Sequence, residues 1–210
     1  MPRGRPREFD PQVALDRALT VFWKKGYEGA SLPDLTRAMG INRPSLYAAF
    51  GNKEALFRRA VARYAEGPAG YVREALAAPT ARDVFRKLLE GGIRMVADPR
   101  NPRGCLAVQG ALACGDEAEP VRKQLCAQRE AMVTALRKRL QRAKAEGDLP
   151  RSADPAALAR YAATIMHGLA VQAAGGASAA ELRRVAKIAL TAWPENEPHS
   201  LSRYSGRGRG

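Results

Sequence analysis

At 210 residues with 46% apolar side chains, the chain can build one compact unit or a small domain joined to a larger one. A formal charge of +14 and an isoelectric point near 10.3 indicate a polyanionic partner or a solubilising basic surface, and residues 1–66 carry net +5 against net +9 for the remainder. No basic-then-apolar signal opens the sequence and no apolar run is long enough to span a membrane, so a soluble cytoplasmic protein is expected.

Alanine and leucine dominate the apolar set and aromatics make up only 6%, a composition that favours an all-α fold. Residues 1–9, MPRGRPREF, read as a flexible basic arm. Arg3 and Arg5 are candidate contacts to phosphate or to an adjacent minor groove, and an ordinary solubilising terminus is the plainer account. Asp10 can cap a helix whose first residue is Pro11, with Val13, Ala14, Ala18, Val21 and Phe22 on its apolar face and Lys24-Lys25-Gly26 at its end.

Ser31, followed three residues later by Asp34, predicts the start of a second helix that buries Leu32, Leu35, Ala38 and Met39 and breaks at Gly40. Asn42 then caps a third helix, with Leu46 and Phe50 assigned to the core and Ile41 plugging the turn. So short a connection makes the two helices cross and share one small core, as in a helix-turn-helix. The third helix is the candidate reader. Arg43 can bridge guanine O6 and N7 or grip phosphate, Ser45 and Tyr47 carry hydroxyls, and Pro44 offers apolar contact to a thymine methyl. Asn42 joins this set at the helix start, and Ser31 and Lys53 are candidate phosphate clamps. Their plainer roles are a helix cap and a solvated lysine. Lys53 to Glu66 is expected to form a fourth helix before Gly67, Pro68 and Gly70 interrupt the chain.

These residues resemble the tetracycline-repressor (TetR) family of bacterial transcriptional regulators. The likeness lies in Ala18 with Phe22, Gly26-Tyr27, Ser31, Leu35, Gly40-Ile41, Ser45-Leu46-Tyr47, Phe50, Lys53-Glu54 and Leu56-Phe57. It implies a homodimeric, all-helical DNA binder whose C-terminal domain often senses a small molecule, and whose bound form usually blocks transcription. Family members commonly carry a histidine or another polar residue where Ala49 stands, and often a larger one at Ala48, so operator preference does not transfer from relatives.

The domain layout expected from this reading is an arm (1–9), a helix-turn-helix domain with its connecting helix (10–66), a helical regulatory and dimerisation domain (67–194) and a disordered tail (195–210). Within the third of these, Thr80 caps a helix through Asp98 that carries an internal Gly91-Gly92. Such a pair is costly in a helix unless a close crossing or an approaching ligand requires it. Arg103-Gly104-Cys105-Leu106 opens an apolar segment ending near Cys114-Gly115. A long helix then begins at Asp116 or Glu119 and stops at Gly147 and Pro150. Two alanine-rich helices follow, capped by Asp154 and Ser178, the second packing through Leu182, Val185, Ala189 and Trp193; paired with a second copy they would make a four-helix interface.

Candidate ligand-lining residues, chosen from periodicity, are Met95, Cys105, Leu106, Met132 and His167. Cysteines at 105, 114 and 126 show no zinc spacing, and a small buried apolar side chain is the simplest account of each. No Ser-His-Asp set, metal motif or phosphate-binding glycine loop is present, so no enzyme activity, metal or cofactor is expected. The function expected is a sequence-specific DNA-binding regulator, a repressor released from double-stranded operator DNA by a small-molecule effector. A ligand-independent helical protein that bridges another partner to DNA is the alternative.

Overall fold

Side-chain caps set the boundaries of the helices. Asp10 accepts backbone hydrogens from Gln12 and Val13 at 2.7 and 3.4 Å and starts α1 (Pro11–Gly29). Ser31 and Asp34 form a reciprocal capping box at α2 (Leu32–Met39), and Gly40 closes that helix in the left-handed conformation. Asn42 and Asn52 cap α3 (Arg43–Phe50) and α4 (Lys53–Glu66), each through a 2.8 Å bond to the third helical amide. The computed structural model describes residues 9–112 and 114–195; the expected arm contacts Arg3 and Arg5, and the expected tail beyond Glu195, lie outside them.

α1 lies against both α2 and α4, and its buried face is correspondingly broad. Leu15, Leu19 and Trp23 are buried alongside Ala14, Ala18 and Phe22, whereas Val13, expected on this face, is 45% exposed. The stripe is rotated because two neighbours, rather than one, have to be covered. Edge-to-face ring pairs hold the junction: Phe22 on Phe57 at 5.0 Å and Tyr27 on Phe57 at 5.2 Å. Each such pair adds roughly 0.5–1.5 kcal/mol beyond area burial.

The second half is built around α6 (Ala81–Ala97), which packs against α5 (Tyr71–Leu76), α9 (Pro155–Ala174) and α10 (Ala179–Thr191). Phe85 of α6 stacks on Trp193 at 4.4 Å and closes the far end. The apolar segment after Arg103 forms only a single-turn helix, α7 (Leu106–Gln109), closed by the Gly110 amide donating to the Leu106 carbonyl. A 3-10 turn (Asp116–Ala118) leads into the 27-residue α8 (Glu119–Ala145), which runs along α9. On α10 the packing line is Leu182, Ala186 and Ala189, continued by Trp193 just past its end; Val185 falls off it and is 47% exposed, contrary to the pattern expected.

Gly91 and Gly92 are explained by close approach. A Cβ at Gly91 would lie 2.4 Å from Cδ2 of Tyr71, and one at Gly92 would lie 2.5 Å from Cε of Met166. The pair lets α5 and α9 press their side chains onto the backbone of α6. Gly26 has a different reason. Its φ of 69° and ψ of −179° interrupt α1, so that the last turn swings out and the Tyr27 amide donates to the Gly110 carbonyl at 2.7 Å instead of to its own helix.

Gly26→Ala therefore forces a side chain into a backbone region that is essentially glycine-only, against a carbonyl 3.2 Å away. The expected loss is about 1–3 kcal/mol of stability, measured by urea or thermal unfolding. An unchanged midpoint would mean that α1 straightens there at no cost.

Candidate DNA-reading surface and buried cavity

The candidate reader helix, α3, exposes most of the side chains expected to contact DNA. Arg43, Pro44, Tyr47 and Ala48 are exposed, Ser45 and Ala49 are partly covered, and Leu46 and Phe50 are buried beneath them. Tyr47, at 47% exposure, is one of the few large apolar rings on the surface, and it sits four residues from Arg43 on the same face. The helix is held from behind: Arg59 donates to the Ala49 carbonyl at 3.1 Å with its guanidinium 5.6 Å from the Phe50 ring centre. Arg63 grips Asp16 through two bonds of 2.7 and 3.1 Å, tying α4 to α1.

Two candidate clamps are partly committed elsewhere. The Ser31 hydroxyl donates to Asp34 at 2.7 Å and accepts the Asp34 amide at 3.2 Å, so its own hydrogen is spent inside the cap. Lys25 and Ser31 together hold the Asp34 carboxyl down at about 2, and it stays ionised. Lys53 stands 4.5 Å above the Tyr27 ring. Partial burial pushes its ammonium pKa down, partly offset by Glu28. Asn42 is exposed, with its side-chain oxygen engaged as the cap.

Behind the reader, a cavity of about 340 Å³ opens among α4, α5, α6, α7, α8 and α9. Met95, Cys105, Met132 and His167 come together on its wall, although they are widely separated in sequence. Leu106 does not join them; it is 1% exposed and packs into the core, because α7 turns its first residue inward while Ala107 and Val108 face the cavity. Sequence periodicity also missed Tyr64, Tyr71, Gln128, Arg129 and Met166, which complete much of the lining. The doubled glycine is the one signal that could have found Tyr71 and Met166, since it marks where their side chains lie.

Tyr64 occupies the junction. Its ring meets Trp23 edge-on at 4.8 Å, and its hydroxyl lies 3.1 Å from Cys105 Sγ and 3.3 Å from Met95 Sδ. Burial, reinforced by Cys105, holds this phenol well above its ordinary range, so it remains a neutral donor. Burial pushes Tyr71 up as well. His167 is shifted the other way: burial first, then Arg129 and Arg160, lower it, so the imidazole is uncharged at neutral pH. Further bonds stitch the α7 segment to α1. Trp23 Nε1 donates to the Gly104 carbonyl at 3.1 Å, and the Gly115 amide donates to Glu28 at 3.0 Å.

All three cysteines are free thiols, and among the described residues no cluster of His, Cys, Asp or Glu is arranged to hold a metal ion. Among the same residues no helix is long and apolar enough to cross a membrane.

An exposed helix-turn-helix joined to a helical bundle with a cavity is the architecture of a one-component DNA-binding regulator. The family model for bacterial regulatory proteins of the tetR family matches residues 14–60, and that for the tetracyclin repressor-like C-terminal domain matches residues 81–189. The HTH-type transcriptional repressor ComR of Escherichia coli K12 is 31% identical over 199 residues, covering 92% of this chain and 93% of that protein. A triple cysteine mutant of the TetR family regulator CifR, solved with 26-base-pair double-strand operator DNA, superposes with a TM-score of 0.88 at 46% identity, covering 91% of this chain and all of that one. A TetR regulator from Rhodococcus sp. RHA1 gives 0.61 at 41% identity, covering 88% and 99% of the two chains. The chain belongs to the TetR family and is a sequence-specific DNA-binding regulator, in a family whose members are not enzymes.

As a phosphate contact, Lys53 would act on every DNA sequence alike. Lys53→Gln should weaken binding to specific and random duplexes in equal proportion and reduce the salt slope by about one ion. A loss confined to one sequence would assign the residue to base reading instead.

Proposed function

We propose that this protein is a dimeric repressor that leaves its operator when a small molecule fills the cavity. One observation carries the reading: α4 begins with Lys53 beside the reader helix and ends with Tyr64 and Glu66 in the wall of the cavity. A single rigid helix thus touches both places. A ligand that fits one separation of the two readers better than another would shift the DNA affinity by that difference and no more.

In this reading residues 10–66 are the DNA-binding unit and residues 67–194 the regulatory and dimerisation unit. Arg43, Pro44, Ser45 and Tyr47 enter the major groove, Asn42 fixes the start of that helix, and the N-terminus of α2 at Ser31 joins Lys53 on phosphate. Arg3 and Arg5 extend the contact along the duplex. Met95, Cys105, Met132 and His167 contact the effector, and Leu106 supports them from the core.

Dimerisation is assigned to α9 and α10, where Val171 is 48% and Ile188 is 71% exposed among the described residues. Two copies of this helix pair would close a four-helix interface and set the readers one helical turn of DNA apart. The repressor designation of the relative ComR and the operator-bound form of the relative CifR support this reading.

Arg43→Ala with Tyr47→Ala should lower affinity for a selected operator by two or more orders of magnitude while sedimentation still reports a dimer; each lost base contact costs roughly 1–3 kcal/mol. Full operator affinity in the folded double variant would remove α3 as the reader. Ile188→Glu should shift the same sedimentation profile towards monomer, and an unaltered dimer would place the interface elsewhere. A compound that raises the melting temperature through the cavity should also release operator DNA, and stabilisation with no release would end the effector role.

A further inference from the structure

We propose that the cavity takes a monoanionic, otherwise apolar small molecule, in its simplest form a carboxylic acid, with its charged head at Arg129. The inference rests on the effector reading above and narrows it to a chemical class.

The buried Arg139 donates to the Ala78 and Pro79 carbonyls, while several arginines at the surface find acids: Arg63 has Asp16, Arg100 has Asp98, Arg122 has Glu119 and Arg160 has Glu130. Arg129 does not. Its partly buried guanidinium donates from Nη1 to the Ala107 carbonyl at 2.6 Å and from Nη2 to Cys126 Sγ at 3.0 Å, and among the described residues it has no ion pair. Its chain neighbour Glu130 is held by Arg160 through bonds of 2.6 and 2.8 Å. A guanidinium carries five N–H donors, so hydrogens remain for an acceptor; Glu130 is shared electrostatically between Arg129 and Arg160, which leaves the trio net positive and favours an anion over a neutral occupant.

Gln128 stands next to it on the same wall, with a buried side-chain oxygen that has no protein partner. His167, uncharged at neutral pH, contributes a hydrogen bond and no charge. Glu66 and Arg73 are both exposed lining residues and carry opposite signs, so they leave the interior positive through Arg129 alone. The remaining wall is apolar, with Met132, Met166 and Leu169 among its residues, and suits a hydrocarbon body.

The test uses three probes that share one hydrocarbon chain: octanoate, octanol and octylamine, titrated calorimetrically into the full-length protein at neutral pH. Octanoate should bind roughly ten-fold or more tightly than octanol, the increment of one charge-assisted contact, and octylamine weakest of all. Arg129→Gln should bring octanoate to the level of octanol and leave octanol itself unchanged. Arg129→Lys, which keeps the charge, should restore part of the preference, and thermal melts establish that both variants fold. Should Arg129→Gln fail to fold, the wild-type ranking and Arg129→Lys decide. Octanol equal to octanoate on the wild type, or a preference that survives in folded Arg129→Gln, overturns the anion class; octanol that binds and releases DNA leaves the effector reading standing. Binding by none of the three overturns both.

Discussion

Much of this molecule depends on the contact between Tyr64 and Trp23. One ring belongs to the helix that leaves the DNA-binding unit and the other to the helix that frames it. Their edge-to-face packing fixes how far apart those two helices stand. The same tyrosine turns its hydroxyl to two sulfur atoms in the cavity wall, while the same tryptophan donates to the loop that carries the wall's shortest helix. Moving that wall therefore means moving one or both rings. Well-packed side chains tend to exchange between discrete arrangements rather than drift.

A second tie reinforces the first. The non-helical geometry at Gly26 releases the end of α1 to bond with Gly110, and Glu28 reaches Gly115 from the same turn. The segment from Cys105 to Gly115 is consequently held at its base by α1 and at its other side by Arg129, which takes the Ala107 carbonyl. In the proposed mechanism, a molecule that engages Arg129 competes with, or tightens, the bond that anchors this segment. Occupancy would then reach the reader through short polar links in addition to the aromatic contact.

The DNA-binding half was legible because its signals are local. Ser31, Asn42 and Asp10 each announce a helix start through a bond spanning two or three residues, and the buried Leu35, Leu46 and Phe50 follow at helical spacing. The second half was legible in its long helices and obscure in its short ones. Tyr71–Leu76 and the single turn Leu106–Gln109 are too brief to display a period. Leu106 illustrates the difficulty: an apolar residue beside a cavity-lining cysteine belongs to the core because of how one turn is rotated. Arg129 and Gln128 could not have been singled out from the polar face of a long charged helix, since only the fold brings them against Met166 and His167. The exposed Val185 has the same origin, because one extra neighbour or one missing neighbour shifts a helix's buried line by a residue.

The measurement that bears most directly on the central claim is selection of the purified protein against randomised duplex DNA, read by sequencing and repeated at two salt concentrations. A folded dimer that reads DNA through Arg43 to Tyr47 should enrich a two-fold-symmetric motif with half-sites about 34–36 Å apart, and the motif should persist as salt weakens overall retention. Retention that falls steeply with salt and enriches no motif would contradict the account. The net charge of +14, rather than the reader helix, would then be what holds the protein to DNA.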